Sequence, residues 1–253
     1  MSATDDPQAR LAEIRTLTDQ ALLGIDATPS AFEGLAVVAQ ECRIPRRYMD
    51  DLIAGFALDS DGWRPRTQDD LLRYCYHVAG SVGCMMAIVM GVDADDQATL
   101  TRACDLGLAF QLANISRDIA EDAAAGRCYL PADWLAEAGI DPADIMALES
   151  RTALASLTRR LASLAARYEE SARYGTPALS HRSAWAVLSA AAIYGAIARK
   201  VGADPVRALK TRVYTSRAEK LGFGLRAWRL ARRRKGLYVA RPRDPDLWLM
   251  PAV

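Results

Sequence analysis

The stretch from Gln111 to Pro131 reads QLANISRDIAEDAAAGRCYLP and places two amides and two carboxylates inside a largely apolar run. An α-helix advances about 100° per residue, so with Asn114 at zero, Asp118 lies near ~40°, Gln111 near ~60° and Asp122 near ~80°. The flanks of this stripe are apolar and comprise Leu106, Leu108, Phe110, Leu112, Ala113, Ile115 and Ile119. A polar stripe with apolar borders is typical of the wall of an internal cavity, because a solvated face has polar neighbours.

The chemistry of this stripe favours a metal and phosphate site. Two carboxylates one turn apart repel each other, and a dry site strengthens the repulsion. A divalent cation offsets it: Mg²⁺ binds oxygen ligands, commonly one or two carboxylates with waters and substrate phosphates. Arg117 and Arg127 lie close in sequence and could pair with phosphate oxygens. The alternative is a helix end whose acids are solvated and paired with these arginines.

Apolar residues recur at helical spacing through nearly the whole chain, and strand-like alternation is almost absent. The 253 residues are 51% hydrophobic, which suits one globular domain with a substantial core. We expect an all-α domain over residues 1–235 and an extended, proline-rich tail over residues 236–253 that lies on the surface. The expected helices comprise residues 6–23, 28–42, 45–58, 67–90, 93–126, 131–138, 151–174, 183–201 and 215–234.

Several classes of function are disfavoured by composition. The net charge is +1, so no overall field favours nucleic acid. The five cysteines form no CxxC pair, and His77 and His181 are not at ligand spacing from them, which argues against zinc. The N-terminus lacks the layout of a signal peptide, and the apolar run 78–92 is too short to span a bilayer. We expect a soluble, cytoplasmic monomer with reduced thiols.

A second stretch, YCYHVAGSVGCMMAIVMG from Tyr74 to Gly91, is apolar nearly all round and should be buried. Gly80, Gly83 and Ala87 share one face, where a neighbouring helix could approach closely. A buried tyrosine at position 74 needs a hydrogen-bond partner for its hydroxyl. Taken alone, such a stretch is more often plain core than a ligand site.

Both stretches resemble the squalene/phytoene synthase family, and in particular its bacterial phytoene synthases. The match includes YCxxVAGxVG at 74–83, LGxxxQLxNIxRDxxED at 106–122 and GRCYLP at 126–131. It extends to GFALD at 55–59, RSAW at 182–185 and a tail that ends in LWLMP. The resemblance implies an all-α isoprenoid-synthase fold, a single helical bundle around a central cavity.

The resemblance also implies a reaction. Two molecules of geranylgeranyl diphosphate would condense head to head, through a cyclopropyl-carbinyl diphosphate, to phytoene for carotenoid biosynthesis, with Mg²⁺ or Mn²⁺ as cofactor. One alternative is a squalene or dehydrosqualene synthase that uses farnesyl diphosphate. Another is a non-catalytic scaffold or assembly factor derived from the family. Nucleic-acid binding is disfavoured because the basic C-terminal region lacks a recognisable module.

Residue roles are implied by position in the family's motifs. The implied metal ligands are Asn114, Asp118 and Asp122. The catalytic residues would be Tyr74 with the same two aspartates. Diphosphate contacts are implied for Gln111, Arg117 and Arg212. The prenyl channel would be lined by Ala79, Val82, Gly83, Met86 and Tyr194.

The sequence departs from the family in one respect, since the family's first DxxxD motif has no counterpart here. Asp118 and Asp122 are the only aspartates four positions apart. The chain opens, at SATDDPQARL, in the region that follows the first motif in the family. We therefore expect an N-terminally truncated form that lacks the helices with half of the metal ligands, exposes an apolar flank and has little or no activity.

The C-terminal region RAEKLGFGLRAWRLARRRKGLYVARPR, residues 217–243, is strongly basic and carries Leu221, Leu225, Trp228 and Leu230. One interpretation is an amphipathic surface that contacts an anionic membrane, to which an apolar product could pass. The other is a packed terminal helix whose arginines are solvated or face phosphate. The sequence leaves both open.

Overall fold

The computed structural model of the protein describes residues 6–25 and 29–251, and the regular structure of these residues is entirely helical. Residues 26–28, and with them the expected start of the second helix at residue 28, lie outside the described residues. The α-helices are α1 (Pro7–Leu22), α2 (Ser30–Cys42), α3 (Arg47–Ser60), α4 (Gln68–Cys75), α5 (Ser81–Val89), α6 (Gln97–Ala124), α7 (Ala132–Glu137), α8 (Arg151–Arg173), α9 (His181–Ala203), α10 (Pro205–Ala208) and α11 (Arg217–Leu237). Single 3₁₀ turns occur at Pro142–Asp144 and Thr176–Ala178.

Helix α6 is the central element of the bundle. It packs against α5, α8 and α9, and α9 in turn packs against α11. Its Leu100, Leu108 and Leu112 are fully buried in the main core. It starts at Gln97, later than expected, because the Asp96 carboxylate caps it by accepting a hydrogen bond from the Thr99 amide.

Helices α4 and α5 form one continuous helical run that a π-helical turn, Tyr76–Gly80, interrupts. A capping box begins this run, with Thr67 and Asp70 bonded reciprocally. The expected close approach is also present: a Cβ on Gly83 would lie 2.5 Å from the Ala103 carbonyl oxygen. Helices α5 and α6 are therefore in direct backbone contact at Gly83 and Ala103.

The C-terminal tail leaves helix α11 at Leu237 and has no further regular structure up to residue 251. The sequence suggested that the tail lies on the surface, but part of it is buried in the bundle. Leu247 is buried, and Arg243 reaches into the bundle, where its Nη2 lies 2.7 Å from a carboxylate oxygen of the buried Asp105. A charged pair with a buried partner thus anchors the tail to α6.

Helix α9 is long and apolar enough, by length and composition, to cross a membrane. In the fold it packs against α6, α8 and α11, as a core helix of a bundle does. All five cysteines are free thiols, and four of them are buried.

Candidate active site

A cavity of about 460 Å³ lies between α5, α6, α9 and the turn that follows α8. The five residues expected to line a prenyl channel all line it, namely Ala79, Val82, Gly83, Met86 and Tyr194. Helix α6 contributes the longest series of lining residues, from Thr99 to Asn114. Met86 is exposed as well as lining, so the cavity opens to solvent on the α5 side.

The lining is polar at the end where α6 continues into the acidic stripe and largely apolar along the rest of the cavity. Gln111 and Asn114 lie at the end that continues into the acidic stripe of α6, and Thr99 and Arg102 lie at the opposite end of the α6 series. The ring of Tyr194 stacks on Phe110 with centroids 4.1 Å apart, which fixes both rings on the cavity wall. Such a cavity suits a long apolar chain with one polar head group.

The acidic stripe continues along α6 beyond the cavity. Asp118 is partly buried and accepts hydrogen bonds from Arg117 Nε at 2.7 Å and Arg212 Nη2 at 3.3 Å. Arg212 also pairs with Glu121 at 2.9 Å. Arg212 thus reaches the stripe although it lies 94 positions after Asp118 in the sequence. The resemblance implied a diphosphate contact for Arg212 but not its contact with Asp118.

Asp122 has its own arginine, because Arg127 Nη2 lies 3.1 Å from its carboxylate. Burial raises the pKa of Asp122 above its ordinary value, and Arg127 opposes that shift. The hydrogen bond to Asp118 raises the pKa of Arg117, and that to Asp122 raises the pKa of Arg127. Three guanidinium groups beside the acidic stripe, beyond the Asn114 end of the cavity, suit an anionic head group.

The residue types on the stripe fit Mg²⁺, which prefers carboxylate and amide oxygens. Asp118 and Asp122 are each engaged by arginines, however. Among residues 6–25 and 29–251, no three His, Cys, Asp or Glu side chains lie close enough together to hold a metal ion. A metal at this stripe therefore needs further oxygen ligands, and a diphosphate supplies them.

Tyr74 is buried and is not among the residues that line the cavity. Its hydroxyl donates to the Asp59 carboxylate at 2.9 Å, and the Tyr129 hydroxyl donates to the same oxygen at 2.9 Å. The Tyr74 ring is stacked between Trp63 and Tyr129, with centroids 5.5 Å and 5.0 Å away. Burial raises the pKa of Tyr74 well above its usual range and that of Tyr129 to about 12, so both phenols stay protonated at neutral pH.

Sequence reasoning required a partner for the Tyr74 hydroxyl but did not name Asp59, Trp63 or Tyr129. A signal for two of them was present, since Asp59 ends the GFALD segment and Tyr129 lies in GRCYLP. Nothing in the local pattern shows that these segments meet. The structure brings together the channel residues with Gln111 and Asn114, places Asp118, Arg117 and Arg212 in one cluster beyond them, and sets Tyr74 apart.

The squalene/phytoene synthase profile matches residues 1–219. The chain belongs to the squalene/phytoene synthase family. It is 47% identical over 246 residues to the 15-cis-phytoene synthase of Enterobacter agglomerans, an alignment that covers 96% of this chain and 81% of the relative. It is 44% identical to the 15-cis-phytoene synthase of Paracoccus sp. (strain N81106 / MBIC 01143), with 98% of this chain and 80% of the relative covered.

The family's fold is also evident from solved structures. A crystal structure of a dehydrosqualene synthase in complex with a ligand superposes with a TM-score of 0.78 at 26% sequence identity, covering 91% of this chain and 81% of that one. The expected all-α isoprenoid-synthase fold is therefore confirmed. Two of the motifs quoted from the sequence, at 74–83 and 106–122, contribute cavity-lining residues, and the second continues into the acidic stripe of α6. The GFALD and GRCYLP segments supply Asp59 and Tyr129, which contact Tyr74.

Proposed function

We propose that the chain is a phytoene synthase, a prenyltransferase that condenses two molecules of geranylgeranyl diphosphate head to head. The observation that carries the proposal is the continuity of α6: one helix lines an apolar cavity over residues 99–114 and carries carboxylates with paired arginines just beyond it. The names of the bacterial relatives support the same activity.

The chain's own residues bind and orient the two ends of the substrate. Apolar walls on α5 and α9 hold the prenyl chains away from water, which protects a carbocation from hydrolysis. Arg117, Arg212 and Arg127 bind the diphosphate oxygens and lower the negative charge that leaves with them. Mg²⁺ or Mn²⁺, held through Asn114, Asp118 and Asp122 together with the diphosphate, would add Lewis-acid neutralisation of the leaving group.

In the proposed reaction the C–O bond of the first substrate breaks and its electron pair leaves with diphosphate, which produces an allylic cation. The double bond of the second substrate attacks this cation, and proton loss gives the cyclopropyl-carbinyl diphosphate. A second ionisation, rearrangement and loss of a proton give phytoene. The rings of Phe110 and Tyr194 line the cavity, where the π-electrons of a ring face turned toward it would stabilise a nearby cation.

The test incubates the purified chain with Mg²⁺ and either geranylgeranyl or farnesyl diphosphate and separates the products by reversed-phase chromatography. A C40 product that is lost in Asp118→Asn supports the proposal, whereas a C30 product alone would assign a squalene or dehydrosqualene synthase. Because the sequence has a single DxxxD pair, we expect slow turnover.

The scaffold alternative is separated by binding rather than turnover. Geranylgeranyl thiolodiphosphate cannot ionise readily, so its affinity can be measured by calorimetry without reaction. We expect its affinity to depend on Mg²⁺ and to fall in Asp122→Asn. A protein that binds this probe equally well with and without Mg²⁺ and forms no product would be a non-catalytic relative.

We further propose a cytoplasmic monomer that contacts the membrane surface through α11. With Leu221 at zero on a helical wheel, Leu225 lies near ~40° and Trp228 near ~340°, so the three share one face. They are 68%, 61% and 40% exposed. The exposed cations on the same helix include Arg217, Lys220, Arg226, Arg229, Arg232, Arg233 and Lys235.

The charge of α11 supports an anionic lipid surface as the partner. In the part of the chain that the structure describes, the one ion pair of this helix joins Glu219 to Lys200. Exposed apolar residues among unpaired cations are typical of interfacial helices, and an apolar C40 product needs an apolar destination. The test is co-sedimentation with phosphatidylglycerol-containing vesicles at low and high salt. Leu225→Glu should release the protein, whereas the control Leu148→Glu, at a position that is 70% exposed, should not.

A further inference from the structure

We infer that the end of the cavity formed around Thr99 and Ala186 sets the length of the prenyl chain that the protein accepts, with Ala186 as a specificity-determining residue. This inference rests on the proposed function, because it concerns the same cavity. It goes further by naming where the chain must end. Both residues line the cavity, and Ala186 lies on the exposed wall formed by α9.

The length of the cavity is read from the helix that runs along it. From Gln111 to Thr99 the α6 axis covers 12 residues, or roughly 18 Å at 1.5 Å per residue. An extended protein backbone spans roughly 3.5 Å per residue over three bonds, so an extended carbon chain advances roughly 1.2 Å per bond. Four isoprene units of four main-chain bonds each therefore need ~19 Å, and three units need ~14 Å. The longer chain reaches Thr99, and the shorter one ends about one helical turn before it.

Ala186 lies where the fourth unit must pass. Phe110 and Tyr194 stack on each other and so align α6 with α9 at one level. From Tyr194, Ala190 lies roughly 6 Å and Ala186 roughly 12 Å along the helix axis toward the Thr99 end. Counting from Gln111, a chain of three units ends close to the level of Ala186. Bulk at position 190 would obstruct both chains, and bulk at position 186 would obstruct the longer one.

The end of the cavity around Thr99 is rigid. Selection of chain length requires this, because a wall that moved aside would admit a longer chain. Arg102 lines it, but its guanidinium points away from the cavity and donates to the Ser171 hydroxyl at 2.5 Å and to the Arg241 carbonyl at 2.9 Å. A Cβ added at Gly175 would lie 2.7 Å from the Cβ of Arg102, so α6 and the end of α8 are in close contact there. The wall behind the last isoprene unit therefore cannot retreat easily.

The experiment measures the affinity of geranylgeranyl and farnesyl thiolodiphosphate in the presence of Mg²⁺, by calorimetry, for three single variants. In Ala186→Phe we expect the affinity for the C20 probe to fall about tenfold, since the last isoprene unit loses its buried position, while that for the C15 probe stays within about twofold. In Ala190→Phe both affinities should fall. Ser163→Phe adds the same ring at an exposed α8 position outside the cavity and should change neither.

Ala186→Leu is measured beside Ala186→Phe, and an intermediate loss of C20 affinity is expected; circular dichroism confirms that each variant is folded. The inference is overturned if Ala186→Phe leaves the C20 affinity unchanged or lowers both affinities equally. Failure of the proposed function has a different outcome. A wild-type chain that binds both probes but makes no product refutes the proposed activity alone, and the ratio of affinities still decides the role of Ala186. A chain that binds neither probe refutes both.

Discussion

Replacing Arg243 by alanine should destabilise the protein more than any other truncation in the C-terminal tail. Asp105 on α6 is 1% exposed, and Arg243 contacts both of its carboxylate oxygens while also donating to the backbone carbonyls of Leu247 and Trp248. Removing one partner of a buried pair leaves the other charge uncompensated, at about 3–5 kcal/mol. Ser171 still donates to Asp105 at 2.5 Å, so we expect the lower part of this range, about 3 kcal/mol.

The assay is thermal and urea unfolding followed by circular dichroism. For a domain of this size, about 3 kcal/mol corresponds to a fall in Tm of roughly 6–12 °C. Arg167→Ala is the matched control, because Arg167 pairs with Asp244 of the same tail, but both side chains are 47% exposed. A surface pair of this kind contributes at most about 1 kcal/mol. If the two variants lose the same stability, the tail is not anchored through the buried pair.

The pH dependence of the Arg243→Ala loss provides a second check. Burial raises the pKa of Asp105, and Arg243 opposes that shift, so the variant should raise the pKa further. A carboxyl group whose pKa is higher in the folded than in the unfolded state lowers stability as pH rises through that interval, because folding then disfavours the ionised form. The stability deficit of the variant should therefore be smaller at pH 4.5 than at pH 7.5. A deficit independent of pH would contradict a buried, uncompensated carboxylate as its cause.

Three other predictions concern the contacts around the site. Gly107→Ala places a Cβ against the Ala79 carbonyl, closer than van der Waals contact allows, and should cost about 1–3 kcal/mol in urea unfolding; Gly222→Ala, which meets nothing within 4 Å, should not destabilise. Asp59→Ala removes the acceptor of two phenols and should cost about 1–3 kcal/mol, with Asp59→Asn retaining most of the stability; equal losses would exclude a hydrogen-bonding role. Tyr129, whose pKa is raised to about 12, should show no phenolate absorbance at pH 10 in a difference spectrum against Tyr129→Phe.

The helices were predictable because their signals are local. Thr67 and Asp70 are three positions apart, and the capping box that this spacing indicates is present. The π-helical turn at Tyr76–Gly80 was not predictable, since a shift in backbone hydrogen bonding leaves the apolar period nearly unchanged. The turn ends at Gly80, where an added Cβ would lie 2.8 Å from the Leu108 side chain of α6, and this contact is tertiary.

The site was predictable to the extent that one helix carries it. The stripe from Gln111 to Asp122 follows from the helical period alone, and the structure keeps Gln111 and Asn114 on the cavity wall. Arg212 is different, because its contact with Asp118 joins residues 94 positions apart. The same holds for Asp59, which meets Tyr129 across 70 residues. Such contacts depend on how the helices pack, which a period in one helix does not determine.

Helix α6 carries the acidic stripe and also lines one wall of the cavity. The position of a diphosphate and the depth to which its prenyl chain reaches therefore depend on one rigid element. Gly107 sets the approach of this helix to the π-helical turn that precedes α5, and Arg102 ties its first turns to Ser171 and to the tail. A shift of α6 along its axis would therefore move the head-group site and the far end of the cavity together. Chain-length selection should consequently respond to substitutions in the side walls, such as Ala186 on α9, more than to changes that displace α6 as a whole.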